Sequence, residues 1–229
     1  MLEKLREEVL EANLELVRQN LVIYTFGNAS GISREEGLVV IKPSGVDYAK
    51  MKPEHLVILD LDGKRVEGEL NPSSDLATHL ALYKAFPTIG GVVHTHSTHA
   101  TAWAQARREI PCLGTTHADY FRGAVPVTAE LTADEIRKDY EWNTGLAIQR
   151  RFAQMDPGEM PAVLVAGHGP FTWGKSAADA AHNAVILEEL ARMAAISLSI
   201  RPDAPPLADV LRDKHFFRKH GAAATYGQR

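Results

Sequence analysis

Gly90-Gly91-Val92-Val93-His94-Thr95-His96 couples two glycines to a short β-branched run that ends in two histidines spaced i and i+2. Alternate side chains of a strand leave the same face, so both imidazoles are expected to point one way. Histidine is the commonest metal ligand, and two on one face supply half of a four-coordinate shell. Spacing alone leaves a second reading open, a surface-facing pair at a strand end, because the chain carries 10 histidines. The surrounding residues decide between the two.

The composition is that of an ordinary globular chain: 229 residues, 45% hydrophobic and 24% charged. No Ser/Gly-rich or Pro-rich linker and no internal repeat divides it, so one domain over residues 1–229 is expected. Pro202, Pro205 and Pro206 mark a break before a C-terminal segment, residues 201–229. A net charge of −4 argues against a broad nucleic-acid-binding face but leaves room for a local basic pocket. The single cysteine, Cys112, excludes an intrachain disulfide and fits a reducing cytoplasm; flanked by Ile110-Pro111 and Leu113, it reads as a small buried residue. The charged, helical N-terminus lacks the apolar core of a signal peptide, and no stretch has the length of a membrane span.

Outward from the histidine strand, the pattern predicts helices over 2–18, from 71–75 to Phe86, 98–105, 132–152, 176–199 and 207–220. Thr132-Ala133-Asp134-Glu135 is a capping box, and Ser176 with Asp179 caps the next helix. Strands are predicted at Leu21–Phe26, Leu38–Lys42, Leu56–Asp60, Lys64–Glu69, Val125–Thr128 and Ala162–Ala166, with a hairpin return at Phe171–Gly174. Gly27-Asn28-Ala29-Ser30-Gly31 reads as a turn of small residues, and Cys112–Phe121 has no clean period. Strands cluster through short turns and helices fall between the clusters, which predicts an α/β chain with a largely antiparallel sheet. Neither a Gly-rich dinucleotide fingerprint nor a Walker loop is present.

His168 sits at a predicted hairpin tip between Gly167 and Gly169, where bulk is excluded; it reads either as a third metal ligand or as a turn histidine in water. Asp75 at a helix start reads as a fourth, oxygen-donor ligand or as a partner of the helix dipole. Three imidazoles and a carboxylate suit Zn²⁺, with Mn²⁺ or Co²⁺ as substitutes. Ser73 and Ser74 at a helix N-terminus, Lys42-Pro43-Ser44-Gly45 and Gly27-Asn28 each read as a turn or cap on their own. Together they suggest a phosphorylated small substrate beside a metal. His117, Asp119, Tyr120, His215, His220 and Tyr226 remain as acid/base candidates. Tyr226 stands in the last four residues, where a tail frays unless another subunit receives it.

Taken together, Asn28, Lys42-Pro43-Ser44-Gly45, Pro72-Ser73-Ser74-Asp75, His94-Thr95-His96 and His168-Gly169 resemble the class II aldolase/adducin superfamily over nearly the whole length. Thr115–Phe121, Tyr140-Glu141-Trp142, Lys214-His215-Phe216 and Tyr226-Gly227-Gln228 narrow the resemblance to its sugar-phosphate 4-epimerase branch, which serves bacterial arabinose catabolism. The resemblance implies a three-layer α/β/α fold and a metal held by Asp75, His94, His96 and His168. It implies a phosphate pocket of Asn28, Lys42, Ser44, Gly45, Ser73 and Ser74, with Thr115 and His215 lining the same site. It further implies Asp119 and Tyr226 as acid/base residues, and a cytoplasmic homotetramer whose sites lie between subunits, the C-terminal segment reaching toward a neighbour. The related aldolases usually carry Glu after the Ser-Ser pair; Asp75, one methylene shorter, favours epimerisation over cleavage of a ketose 1-phosphate. A non-catalytic, adducin-like module would be expected to have lost ligand residues, and all four candidates stand.

Overall fold

A computed structural model describes residues 2–220 and 224–225. Its elements run α1 (Glu3–Arg18), β1 (Asn28–Ser33), β2 (Leu38–Ile41), β3 (Val57–Asp60), β4 (Arg65–Glu67), α2 (Leu76–Ala85), β5 (Gly91–His94) and α3 (Thr98–Gln105). They continue through α4 (Thr115–Ala118), α5 (Ala133–Arg151), β6 (Ala162–Leu164), β7 (Pro170–Gly174), α6 (Ala177–Ile200) and α7 (Asp209–Lys219). The strands form one seven-stranded sheet, β4-β3-β2-β1-β5-β7-β6, in which every neighbouring pair is antiparallel.

Helices cover both faces, because the central strands alternate which core each side chain enters. Val93 joins Ala29, Val40 and Ile58 under α1 and the first half of α6, where Val9, Leu16, Ala180 and Ala184 pack. Val92 joins Ile32 and Val39 on the other side, with Tyr83 of α2, Phe86 just after it, Ile148 of α5, and Trp173. This is the expected three-layer α/β/α arrangement with a largely antiparallel sheet. Gly91 has no room for a side chain: a Cβ there would lie 2.3 Å from the Ser176 carbonyl oxygen and 2.5 Å from Ala177. The glycines that open the histidine strand are thus where the start of α6 presses on the sheet.

Several expectations need correction. No strand forms over 21–26; Ile23, Tyr24 and Phe26 are exposed in a loop, with Tyr24 in the left-handed region (φ 54°). The strand lies instead on Asn28–Ser33, which begins inside the small-residue stretch 27–31 that reads as a turn. The cause is α1, which lies so close that a Cβ on Gly31 would meet Leu5 and Val9 at 2.9 Å. A central strand under a helix selects small size, and size masks the usual β signature. Val125–Thr128 makes only isolated bridges, from Val125 to Ile110 and from Val127 to Leu164. Helix α2 begins after Asp75 without a side-chain cap, so Asn71–Asp75 serve another purpose. The capping box at Thr132 and the cap at Ser176 form as expected.

The aperiodic stretch 112–121 folds as the single turn α4, against which α7 docks. Cys112 is buried, and burial pushes its thiol up to about 11. His117 is buried as well and donates from Nε2 to the Gly123 carbonyl at 2.8 Å; burial pushes its pKa down to about 4. An unfolded histidine titrates near 6.5. As pH falls from about 6.5 to about 4, the unfolded chain therefore gains a proton that the folded chain refuses. The stability this neutral histidine contributes is complete above that window and lost through it, by up to about 3 kcal/mol. Urea unfolding at pH 7.5 and 4.5 is expected to show a smaller loss in His117→Gln than in the unsubstituted protein.

Candidate metal and phosphate site

Strand β5 ends at His94, and its register sets the site. His94 pairs with Asn28 of β1 on one side and with Phe171 of β7 on the other. Its ring stacks on Phe171 with centroids 4.2 Å apart. His94 Nδ1 lies 2.9 Å from the Pro170 carbonyl, which can only accept, so Nδ1 carries the proton and Nε2 is bare. Burial pushes the His94 pKa down to about 3, so the ring is neutral.

His96 lies just beyond the paired strand and is exposed, yet its Nε2 is 3.1 Å from His94 Nε2. His168 rides the turn between β6 and β7, its ring centroid 4.7 Å from His94 and 5.1 Å from His96. Gly169 makes this approach possible: a Cβ there would stand 2.9 Å from the Thr95 carbonyl and 3.2 Å from the His96 ring. One ligand nitrogen from each of the three histidines falls within 4.8 Å of the others. Two ring nitrogens at 3.1 Å, one of them bare, need a proton or a cation between them. The donor set fits a divalent metal of the zinc type.

Asp75 lines the same cavity but lies outside that cluster of ligand atoms. Its Oδ2 accepts from Asn28 Nδ2 at 2.6 Å, and Asn28 Nδ2 also reaches Ser73 Oγ at 3.0 Å. Burial works against the carboxylate, yet its pKa is lowered, with the Asn28 amide donating to the charged form. Asn28 Oδ1 is buried with no partner among the described residues. An orphaned buried acceptor is costly, and a ligand hydroxyl would satisfy it.

The anion-binding candidates meet on the other wall of this cavity of about 390 Å³: Asn28, Lys42, Ser44, Gly45, Ser73 and Ser74 line it with the three histidines. Two backbone hydrogen bonds join their loops, Ser44 N–H to Asn71 O and Ser73 N–H to Lys42 O, both 2.9 Å. Lys42 is 2% exposed. Its Nζ has carbonyl partners only at 3.3 Å, Thr25 and Pro43, and stands 4.7 Å over the Tyr48 ring. Burial lowers its pKa. A buried ammonium beside two serines and an open Gly45 turn has the charge and the donors that a phosphate would take. Lys42→Met is expected to weaken inorganic phosphate binding about 10- to 100-fold by calorimetry, the scale of one charge-assisted hydrogen bond.

Thr115, Asp119 and His215 do not line this cavity. Asp119 instead anchors α7 to α4: it accepts from His215 Nδ1 at 3.0 Å and from Arg218 Nε and Nη2 at 3.1 and 3.0 Å, with Lys219 at 3.6 Å. Burial works against the carboxylate, but these groups outweigh it and hold its pKa low. Arg122 reinforces the dock through Glu159 and Asp213. Tyr226 lies outside the described residues. Conversely, Thr25, Phe26, Tyr140 and Glu141 line the cavity although only the last two fell in a quoted motif and none was a site candidate.

Residues 7–195 match the class II aldolase and adducin N-terminal domain family, and the chain belongs to that family. More particularly, it is 56% identical over 228 residues to proteins of Salmonella paratyphi A and Salmonella typhi named L-ribulose-5-phosphate 4-epimerase UlaF, covering 100% of each chain. Among solved structures, an L-fuculose 1-phosphate aldolase superposes with a TM-score of 0.80 at 27% identity, over 94% of this chain and 95% of that one.

Proposed function

We propose that this protein converts L-ribulose 5-phosphate to D-xylulose 5-phosphate, inverting C4 by retro-aldol cleavage and re-addition. The observation that carries this reading is the convergence of three imidazoles beside a buried lysine, in a chain 56% identical end to end to named 4-epimerases. The hydrogen on C4 is not adjacent to the C2 ketone, so removing it yields no delocalised anion. Breaking the C3–C4 bond places charge on C3 instead, beside the carbonyl. His94, His96 and His168 would hold a Zn²⁺, Mn²⁺ or Co²⁺ ion, with Asp75 as the oxygen donor. When bound, that ion supplies Lewis-acid stabilisation of the charge developing on the ketose fragment.

The chain's own residues do the rest. Lys42, Ser44, Gly45, Ser73 and Ser74 grip the phosphate, so the glycolaldehyde phosphate fragment stays tethered while its aldehyde turns over. Asn28 offers its free Oδ1 to a sugar hydroxyl. Cleavage requires that the C4 hydroxyl lose its proton, and re-addition on the opposite face requires that the new C4 alkoxide gain one. Asp119 and Tyr226 take these two tasks, each contributing roughly 10²–10⁴-fold. Asp119 lines none of the metal cavity of its own chain. The proposed protein is a cytoplasmic homotetramer in which a neighbour's Asp119, Thr115 and His215, with a tail carrying Tyr226, complete each site.

Incubating the protein with L-ribulose 5-phosphate, with and without chelator, tests the reading. D-xylulose 5-phosphate should form only without chelator. Release of free dihydroxyacetone phosphate from L-fuculose 1-phosphate instead would make the protein an aldolase, as the related fold allows. Tyr226→Phe should fold and assemble normally while losing roughly 10²-fold in turnover; full turnover in a well-folded sample would remove Tyr226 from the mechanism.

A further inference from the structure

Helix α5 is broken at Asp139, whose backbone leaves the helical region (φ −161°, ψ 80°). The break is built in. The Glu135 carbonyl, one turn before the break, accepts from Asn143 Nδ2, on the far side of it, at 2.9 Å. The helix resumes at Tyr140, and Thr144 Oγ1 donates to the Tyr140 carbonyl at 2.9 Å. This second segment is clamped to α2, the helix that begins just after Asp75. Thr78 Oγ1 donates to the Glu141 carbonyl at 2.6 Å, and Gln149 Nε2 to the Ala81 carbonyl at 3.0 Å. Gly145 sits so close to Ala81 that an added Cβ would lie 2.4 Å from its methyl.

The break turns Tyr140 into the metal cavity, where its hydroxyl lies 3.2 Å from His168 Nδ1. His168 needs such a hold. It stands on a hairpin tip flanked by Gly167 and Gly169, which give its ring no side-chain support. His94, deep in the sheet, has its Nδ1 fixed by the Pro170 carbonyl. A metal-binding imidazole is oriented through its outer nitrogen, and loss of such a partner typically costs 10- to 100-fold in metal affinity.

We propose that Tyr140 is the positioning residue for His168: its phenol oxygen accepts from His168 Nδ1–H, fixes the tautomer and ring plane, and leaves Nε2 to face His94 and His96. The proposal rests on the metal-site reading above. Its test uses the full chain with Tyr140→Phe. Zn²⁺ affinity is measured by chelator competition, and the His168 tautomer by long-range ¹⁵N–¹H correlation of the metal-free protein. Tyr140→Phe should bind Zn²⁺ about 10- to 100-fold more weakly, with an unchanged melting temperature for the metal-free form. Its His168 should pass from one tautomer to a mixture. Unchanged affinity together with a single retained tautomer would overturn the role of Tyr140. Failure of the unsubstituted protein to bind Zn²⁺, Mn²⁺ or Co²⁺ would overturn the metal site itself, while the tautomer measurement would still decide whether Tyr140 sets the His168 ring.

Discussion

Replacing His94 with alanine is expected to abolish stoichiometric metal binding and to lower epimerase turnover by at least about 10³-fold, the equivalent of several kcal/mol of Lewis-acid stabilisation. His94 is the central member of the triad: its Nε2 faces His96 at 3.1 Å, and its ring lies 4.7 Å from that of His168. It is also the best held, by the Pro170 carbonyl on one side and the Phe171 face on the other. That packing gives His94→Ala a stability cost of its own, since it empties a buried volume and strands a carbonyl. His168→Ala, at the hairpin tip, separates the two effects: it should lose metal and rate while melting close to the unsubstituted protein. Metal content by elemental analysis and product formation by coupled assay are the readouts. Retention of metal and rate by both variants would sink the triad as the catalytic centre.

Asp119→Asn is expected to lower turnover by about 10²–10⁴-fold, the loss of one positioned proton acceptor. The change keeps the shape of the side chain and removes its charge. Three cationic or ionisable groups, His215, Arg218 and Lys219, then face one another without the carboxylate that draws them together. Some loosening of α7 on α4 should follow, visible as earlier protease cleavage after residue 207. Loss of rate with α7 still docked would place Asp119 in the chemistry. Loss of that docking with normal turnover would leave it the docking residue for α7 alone.

The candidate metal ligands and the phosphate loops were legible because each announces itself locally. Two histidines at i and i+2 end a β-branched run, a histidine sits between glycines, and Lys-Pro-Ser-Gly and Ser-Ser-Asp mark the ends of elements. The partners that hold them were not legible, because they come from far along the chain. Nothing beside His79 or His99 in the sequence points to a partner, and His79 Nδ1 meets Ser30 Oγ across 49 residues while His99 Nδ1 meets Glu188 across 89. Glu188 also accepts from the His99 and Ala100 backbone N–H groups, tying the start of α3, just past His96, to α6.

What the amino-acid sequence determined by itself is therefore local: the capped starts of α5 and α6, the apolar strands β2 and β3, the glycine-flanked histidines and the side chains suited to metal and phosphate. Tertiary structure decided the rest. It placed a central strand on Asn28–Ser33, because the pressure of α1 demands small residues and so erases the β pattern. It broke α5 at Asp139 so that Tyr140 and Glu141 enter the cavity, and it left Asp119 bound to α7 rather than facing the histidines of its own chain. Periodicity and propensity report forces acting over a few residues. Register, helix docking and the meeting of distant side chains are settled by packing, which no short window of sequence contains.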